Sequence, residues 1–188
     1  MLTRLIILAA VLFVVNPVIA QHPCSRDVSD SPSIFGLRLG RPIGELSNVI
    51  GPTIKFKPKK TGDGSFFQNF IEQKPPPKLT GTRALYVRYF NGKVYQIEVF
   101  YEDKDQSVKI EDFTKQLSTD YQLPLDAWTI KNNGAEIDCG GFSLKADAIL
   151  NRHIELTDVA AKAGFDKKKE AKRLEKEIIA ATITAPSL

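Results

Sequence analysis

Apolar and polar positions follow two periods along the chain, and the switches between them mark the elements. Phe35, Leu37 and Leu39 alternate with Gly36, Arg38 and Gly40, a period of two that predicts a short half-buried strand from Ile34. The period changes at Pro42. Ile43, Leu46 and Ile50 recur at three and four, which predicts a helix with Pro42 at its first position and Gly51-Pro52 as its stop. Ile54 and Phe56 then alternate with Lys55 and Lys57 in a second predicted strand, and Lys59 to Gly64 reads as a turn. Ser65 to Glu72 holds Phe66, Phe67, Phe70 and Ile71 and predicts a third strand. Pro75, Pro76 and Pro77 cannot donate to a ladder and mark a polyproline loop.

The strongest local pattern runs from Arg83 to Glu102, two alternating stretches flanking Asn91-Gly92. A two-residue turn there sets Leu85, Val87 and Tyr89 on the same face as Gln96 and Glu98. A three-residue loop, Phe90-Asn91-Gly92, pairs Tyr89 with Lys93 and collects Leu85, Val87, Tyr95, Ile97 and Val99 on one face. A slip of one residue turns every side chain over, so a clean apolar face selects the three-residue loop, with Gly92 left-handed in a bulge.

Farther along, Ile110, Phe113, Leu117 and Tyr121 form a helical stripe, with Ser107 as cap and Pro124 as stop. Trp128 and Ile130, Ala135 to Cys139, Phe142 to Leu150 and His153 to Leu156 read as strands. Between them lie turns at Asn132-Asn133-Gly134 and Asn151-Arg152, and a kink or bulge at Gly140-Gly141. Asp158 caps a last helical stretch, broken and recapped at Gly164 and Asp166, with a narrow stripe of Ala171, Leu174 and Ile178 and a loose tail over 182–188. Runs of strands separated by helices predict an α+β domain over 34–181: an antiparallel sheet with two or three helices packed to one side. A helix followed by several strands occurs twice, so 34–105 and 106–181 are candidate degenerate halves.

The first twenty residues fall outside this scheme. Arg4, the uncharged apolar run from Leu5 to Val15, and Val18-Ile19-Ala20 make the three-part pattern of a secretory signal cleaved after Ala20. The run is too short for a spanning helix, so no transmembrane segment is expected after cleavage. Residues 21–33 read as an extended arm pinned by Cys24. Cys24 and Cys139 are the only cysteines, and in an oxidising compartment they are expected to be bonded, in a secreted or periplasmic protein.

Gly36-Leu37-Arg38-Leu39-Gly40-Arg41-Pro42-Ile43-Gly44-Glu45-Leu46 and Ile50-Gly51-Pro52 resemble a segment of the beta-lactamase-inhibitor-protein-like fold and its relatives, the small outer-membrane-assembly lipoproteins. Glu45-Leu46 matches the helix core of that pattern. Arg41 replaces its Met, and Gly51-Pro52 lacks the residue between Gly and Pro. The resemblance covers about a tenth of the chain. It implies helices on an antiparallel sheet in a bacterial envelope or secreted protein that works by binding proteins.

Composition and charge narrow the chemistry. The chain of 188 residues has 26 Lys and Arg against 22 Asp and Glu, a net +4, too mild for a nucleic-acid signature. Its two histidines, His22 and His153, have no second ligand at metal spacing, and no nucleophile elbow, phosphate loop or dinucleotide fingerprint occurs. No metal, cofactor or catalytic residue is expected. Lys55, Lys57, Lys59 and Lys60 read either as protection of a sheet edge or as a positive rim for an acidic partner or an anionic envelope polymer. Phe66, Phe67 and Phe70 occupy both parities of one strand, so one of them is a candidate exposed anchor. Together these residues make a candidate binding surface, and the predicted role is a non-enzymatic interaction module whose partner is another envelope or extracellular protein. The competing class is a small secreted hydrolase or ligand-pocket protein.

Overall fold

A computed structural model of the protein describes residues 24–52, 54–102, 108–132, 134–148 and 152–184. The signal segment, His22, the Ser107 cap, the end of the strand at Leu150, Asn151 and the last residues of the tail lie outside the described residues.

Among the described residues seven strands form one antiparallel sheet: β1 (Gly64–Asn69), β2 (Thr82–Phe90), β3 (Lys93–Tyr101), β4 (Thr129–Lys131), β5 (Gly134–Asp138), β6 (Phe142–Asp147) and β7 (His153–Asp158), in the order β1-β2-β3-β7-β6-β5-β4. Two local meanders therefore meet through their last strands, β3 against β7. A helical segment precedes each meander. The first is a 3-10 turn, Ile43–Leu46, running into α1 (Ser47–Ile50), and the second is α2 (Ile110–Tyr121). The antiparallel α+β class expected from the sequence is the one the chain adopts. Leu85, Val87, Ile97, Val99, Leu144, Ile154 and Leu156 line one face of the sheet and share a single core with Leu46, Ile50, Phe113 and Leu117 of the two helices.

The third helix, α3 (Val159–Thr184), starts on the opposite face. Asp158 caps it, its Oδ1 accepting from Ala161 N–H at 2.8 Å. It is one uninterrupted helix of 26 residues, not two pieces. Gly164 is no break. It sits where the Phe90 ring passes, 3.3 Å from where a Cβ would lie, so the glycine serves close approach. The residues from Thr182 to Thr184, expected to be loose, continue this helix.

The hairpin register differs from the expected one in an instructive way. Phe90 pairs with Lys93 and Tyr89 with Val94, so the turn holds two residues, Asn91 (φ +50°) and Gly92 (φ +74°). Both are left-handed, as a hairpin turn that matches the strand twist requires. The extra residue demanded by parity lies inside β3, where the register jumps between Arg88–Gln96 and Tyr89–Val94 and Tyr95 is the bulge. The expected apolar face therefore forms, with Leu85 opposite Val99 and Val87 opposite Ile97. Tyr95 leaves that face and stacks on Phe165 of α3, ring centroids 5.3 Å apart. Gly92→Ala puts a side chain at a left-handed position with open space around it. The backbone strain alone is expected to cost about 1 kcal/mol in urea unfolding.

Two further expectations are corrected. Residues 34–39 are not a strand: Phe35 (φ +55°) and Gly36 (φ +89°) make a tight turn that brings Ile34 and Leu37 into mutual backbone hydrogen bonds of 2.9 Å. Alternation still places Leu37 and Leu39 in the core, but the turn buries Ile34 and leaves Phe35 half-buried at the rim. Residues 54–59 also form no strand. They run beside β1 and are fastened by Phe56, whose ring meets Phe66 and Tyr89 edge-on.

The arm is held by more than its cysteine. The Cys24–Cys139 disulfide is present, with Cα atoms 4.5 Å apart. Arg26 N–H donates to Cys139 O at 2.9 Å and Gly141 N–H to Arg26 O at 3.2 Å, so the arm adds a short parallel bridge beside β5 and β6. A disulfide fits an extracellular or periplasmic protein. Among the described residues no helix is long and apolar enough to cross a membrane.

Candidate binding surface

One end of the sheet gathers segments that are far apart in sequence. The turn over 59–62 closes through Gly62 N–H to Lys59 O at 3.0 Å, and Lys59 N–H donates to the Tyr89 hydroxyl at 3.0 Å. The β2–β3 turn docks on it: Gly92 N–H donates to Gly62 O at 2.7 Å, and Asn91 N–H to Asp63 Oδ1 at 3.0 Å. The 40–43 segment joins from the other side, with Gly40 N–H on Val94 O, Val94 N–H on Arg41 O and Ile43 N–H on Gly92 O. The glycines and apolar positions of the 36–52 segment thus build a structural corner, with Glu45 tied to Arg41 at 2.9 Å. Finally α3 arrives, and Lys168 pairs with Asp63 while lying over the Phe90 ring.

The consequence is electrostatic. Lys55, Lys57, Lys59 and Lys60, all exposed, are joined at this end by Arg41, Lys93, Lys168 and Lys172. Cations from four separate segments are therefore brought to this end of the sheet. Burial works against the Asp63 carboxylate. Hydrogen bonds from Lys168 and Asn91, with the charges of Lys168 and Lys172, outweigh it and hold the group below its ordinary range. Asp63 is therefore the ionised pin that ties turn, hairpin and helix together.

The three phenylalanines separate by parity. Phe66 and Phe70 are core residues, 8% and 6% exposed, and leave the candidate surface for that reason. Phe67 points to the other face and is 60% exposed. There it meets Tyr86 edge-on at 6.1 Å, and the Arg88 guanidinium lies over Tyr86 at 4.8 Å. Along the same face, Phe67 pairs with Tyr86, Tyr86 with Glu98, Glu98 with Glu155, and Glu155 with Lys145. Burial, and then the facing Glu155, raise the Glu98 carboxyl above its ordinary range. The face of the sheet that α3 partly covers thus also carries an aromatic and arginine cluster, Phe67, Tyr86 and Arg88.

The sequence identified Lys55 to Lys60 and the phenylalanine group. It missed Lys93, Lys168 and Lys172, and it missed Tyr86 and Arg88. The signal for the last two was available in the alternation of β2, whose non-core parity reads Tyr86, Arg88, Phe90, unusually aromatic for a solvent-facing row. Elsewhere on this face an open hollow of about 290 Å³ is lined by Lys131, Glu136, Lys145, Asp147 and His153, with Lys145 and Glu136 3.7 Å apart. Among the described residues no three His, Cys, Asp or Glu side chains are grouped to hold a metal ion. No family model matches the chain, and neither a curated protein nor a solved structure matches it.

Proposed function

We propose that the protein is a non-enzymatic binding module of the cell envelope or extracellular space that docks an acidic protein on its lysine-rich end, with Phe67 as the apolar contact beside it. The observation that carries this reading is the convergence of lysines and an arginine from four separate segments around the half-buried pin Asp63. Like charges brought together cost stability, and edge protection does not require Lys93, Lys168 and Lys172 at the same pole. Such a field speeds encounter with an acidic surface, and an exposed aromatic on a rigid strand supplies short-range contact at small entropic cost. The resemblance of the 36–52 segment to envelope and secreted proteins that bind proteins points the same way. The disulfide fits such a compartment.

The test is capture of the partner from envelope extract on the immobilised protein, followed by kinetics of the purified pair. Replacing Lys55, Lys57, Lys59 and Lys60 by Ser alters only exposed side chains and leaves the fold intact. The association rate at low salt is expected to fall about tenfold, and its salt dependence to flatten. An unchanged association rate rules out this surface.

A further inference from the structure

Helix α3 meets the sheet through Phe165 and Lys168 and then runs on to Thr184. At 1.5 Å per residue the remainder projects about 24 Å. Every side chain from 171 to 180 is exposed. Ala171, Leu174 and Ile178 nevertheless recur at three and four, the spacing of a coiled-coil seam, and Leu174 and Ile178 are 47% and 67% exposed. Glutamates flank that seam on both sides. Glu170 and Glu177 border it on one, both held by Arg173 through contacts of 2.6 Å, and Glu175 borders it on the other.

We propose that the projecting half of α3 is a docking seam for an amphipathic helix of another protein whose apolar stripe is flanked by lysine or arginine. The glutamates choose this occupant. A second copy in parallel sets Glu170 against Glu175, and an antiparallel copy with Leu174 on Ile178 sets Glu175 on Glu175 and Glu177 on Glu177, all repulsive at flanking positions. An anionic lipid surface meets the same carboxylates beside the apolar stripe. A basic-flanked helix buries Leu174 and Ile178, pairs with Glu175, and meets Glu170 and Glu177 beside the Arg173 that already engages them. This surface shares α3 with the lysine-rich end, which takes in Lys172, but its test changes only Glu175, Glu177 and Ile178 and does not depend on that reading.

The probe is a labelled synthetic helix of three heptads with Leu at the seam and Lys at the flanks, titrated with the protein at low salt. One control carries Glu at the flanks, and a second keeps the Lys but scrambles the seam. The Lys-flanked helix is expected to bind at least about tenfold more tightly than either control, and Ile178→Asp to remove that advantage. Ile178 is exposed, so the variant keeps its fold, which an unchanged melting curve checks. Glu175→Lys with Glu177→Lys is expected to transfer the preference to the Glu-flanked helix. Equal binding of all three peptides, or binding indifferent to Ile178→Asp, overturns the proposal. So does a dimer in sedimentation equilibrium, or capture by phosphatidylglycerol vesicles, that Ile178→Asp abolishes.

Discussion

Replacing Cys24 and Cys139 together by alanine is expected to lower the unfolding free energy by about 4–5 kcal/mol in urea titration. The bond joins residues 115 apart, and the loss of loop-closure entropy in the unfolded chain scales with that separation. Both cysteines are buried, 3% and 1% exposed, so alanine is the proper substitute: serine adds the cost of burying two hydroxyl groups. Ile34, Leu37 and Leu39 follow Cys24 within 15 residues and are core residues, which makes the arm part of the fold. A domain of this size holds about 5–15 kcal/mol in total, so the variant sits near the limit of stability. A loss under about 1 kcal/mol contradicts the chain-entropy account for this bond.

The second large effect is expected at Gly141. A Cβ built there lies 2.7 Å from Arg26 O, 2.8 Å from Val28 N and 2.9 Å from Asp27 C. All three are backbone atoms of the arm, so no side chain can swing aside. The arm must lift, which strains or breaks the Arg26–Cys139 and Gly141–Arg26 hydrogen bonds. Gly141→Ala is expected to cost about 3 kcal/mol. Gly140 is the internal control. Its φ is +80°, but nothing lies within 4 Å of its Cβ position, so Gly140→Ala carries only the left-handed penalty of about 1 kcal/mol. In the cysteine-free background the arm moves more freely, and Gly141→Ala is expected to cost measurably less. Equal costs at 140 and 141 contradict the steric reading.

How much of this was legible in the sequence depends on the range of the interaction. Parity along β2 and β3 required one extra residue to bring Leu85, Val87, Ile97 and Val99 to one face, and that face exists. The location of the extra residue was not legible, because Asn91-Gly92 satisfies a two-residue turn by itself and the bulge answers to Phe165, seventy positions from Tyr95. Phe35-Gly36 looked like one period of a strand because alternation counts side chains and is blind to a left-handed pair. Gly164 carried a helix-break signal, but the ring of Phe90 supplied a tertiary reason to keep the helix whole. The candidate surface was half visible. Lys55 to Lys60 stand together in sequence, whereas Lys168 reaches Asp63 only through the course of α3 across the sheet. The paired cysteines were fully legible, since a chain with two has one intramolecular pairing.

The sheet order also fixes a sequence of events in time. Each meander is assembled from neighbours along the chain, while β3 and β7 join residues such as Gln96 and Thr157, sixty-one positions apart. Local hairpins close within microseconds, but the central pair must first overcome the closure entropy of the long intervening segment. Until the two meanders join, β3 and β7 are open edges of separate half-sheets. The barrier to folding therefore lies at the middle of the sheet, and the period before that seam closes is when the chain is most exposed to mispairing with its neighbours.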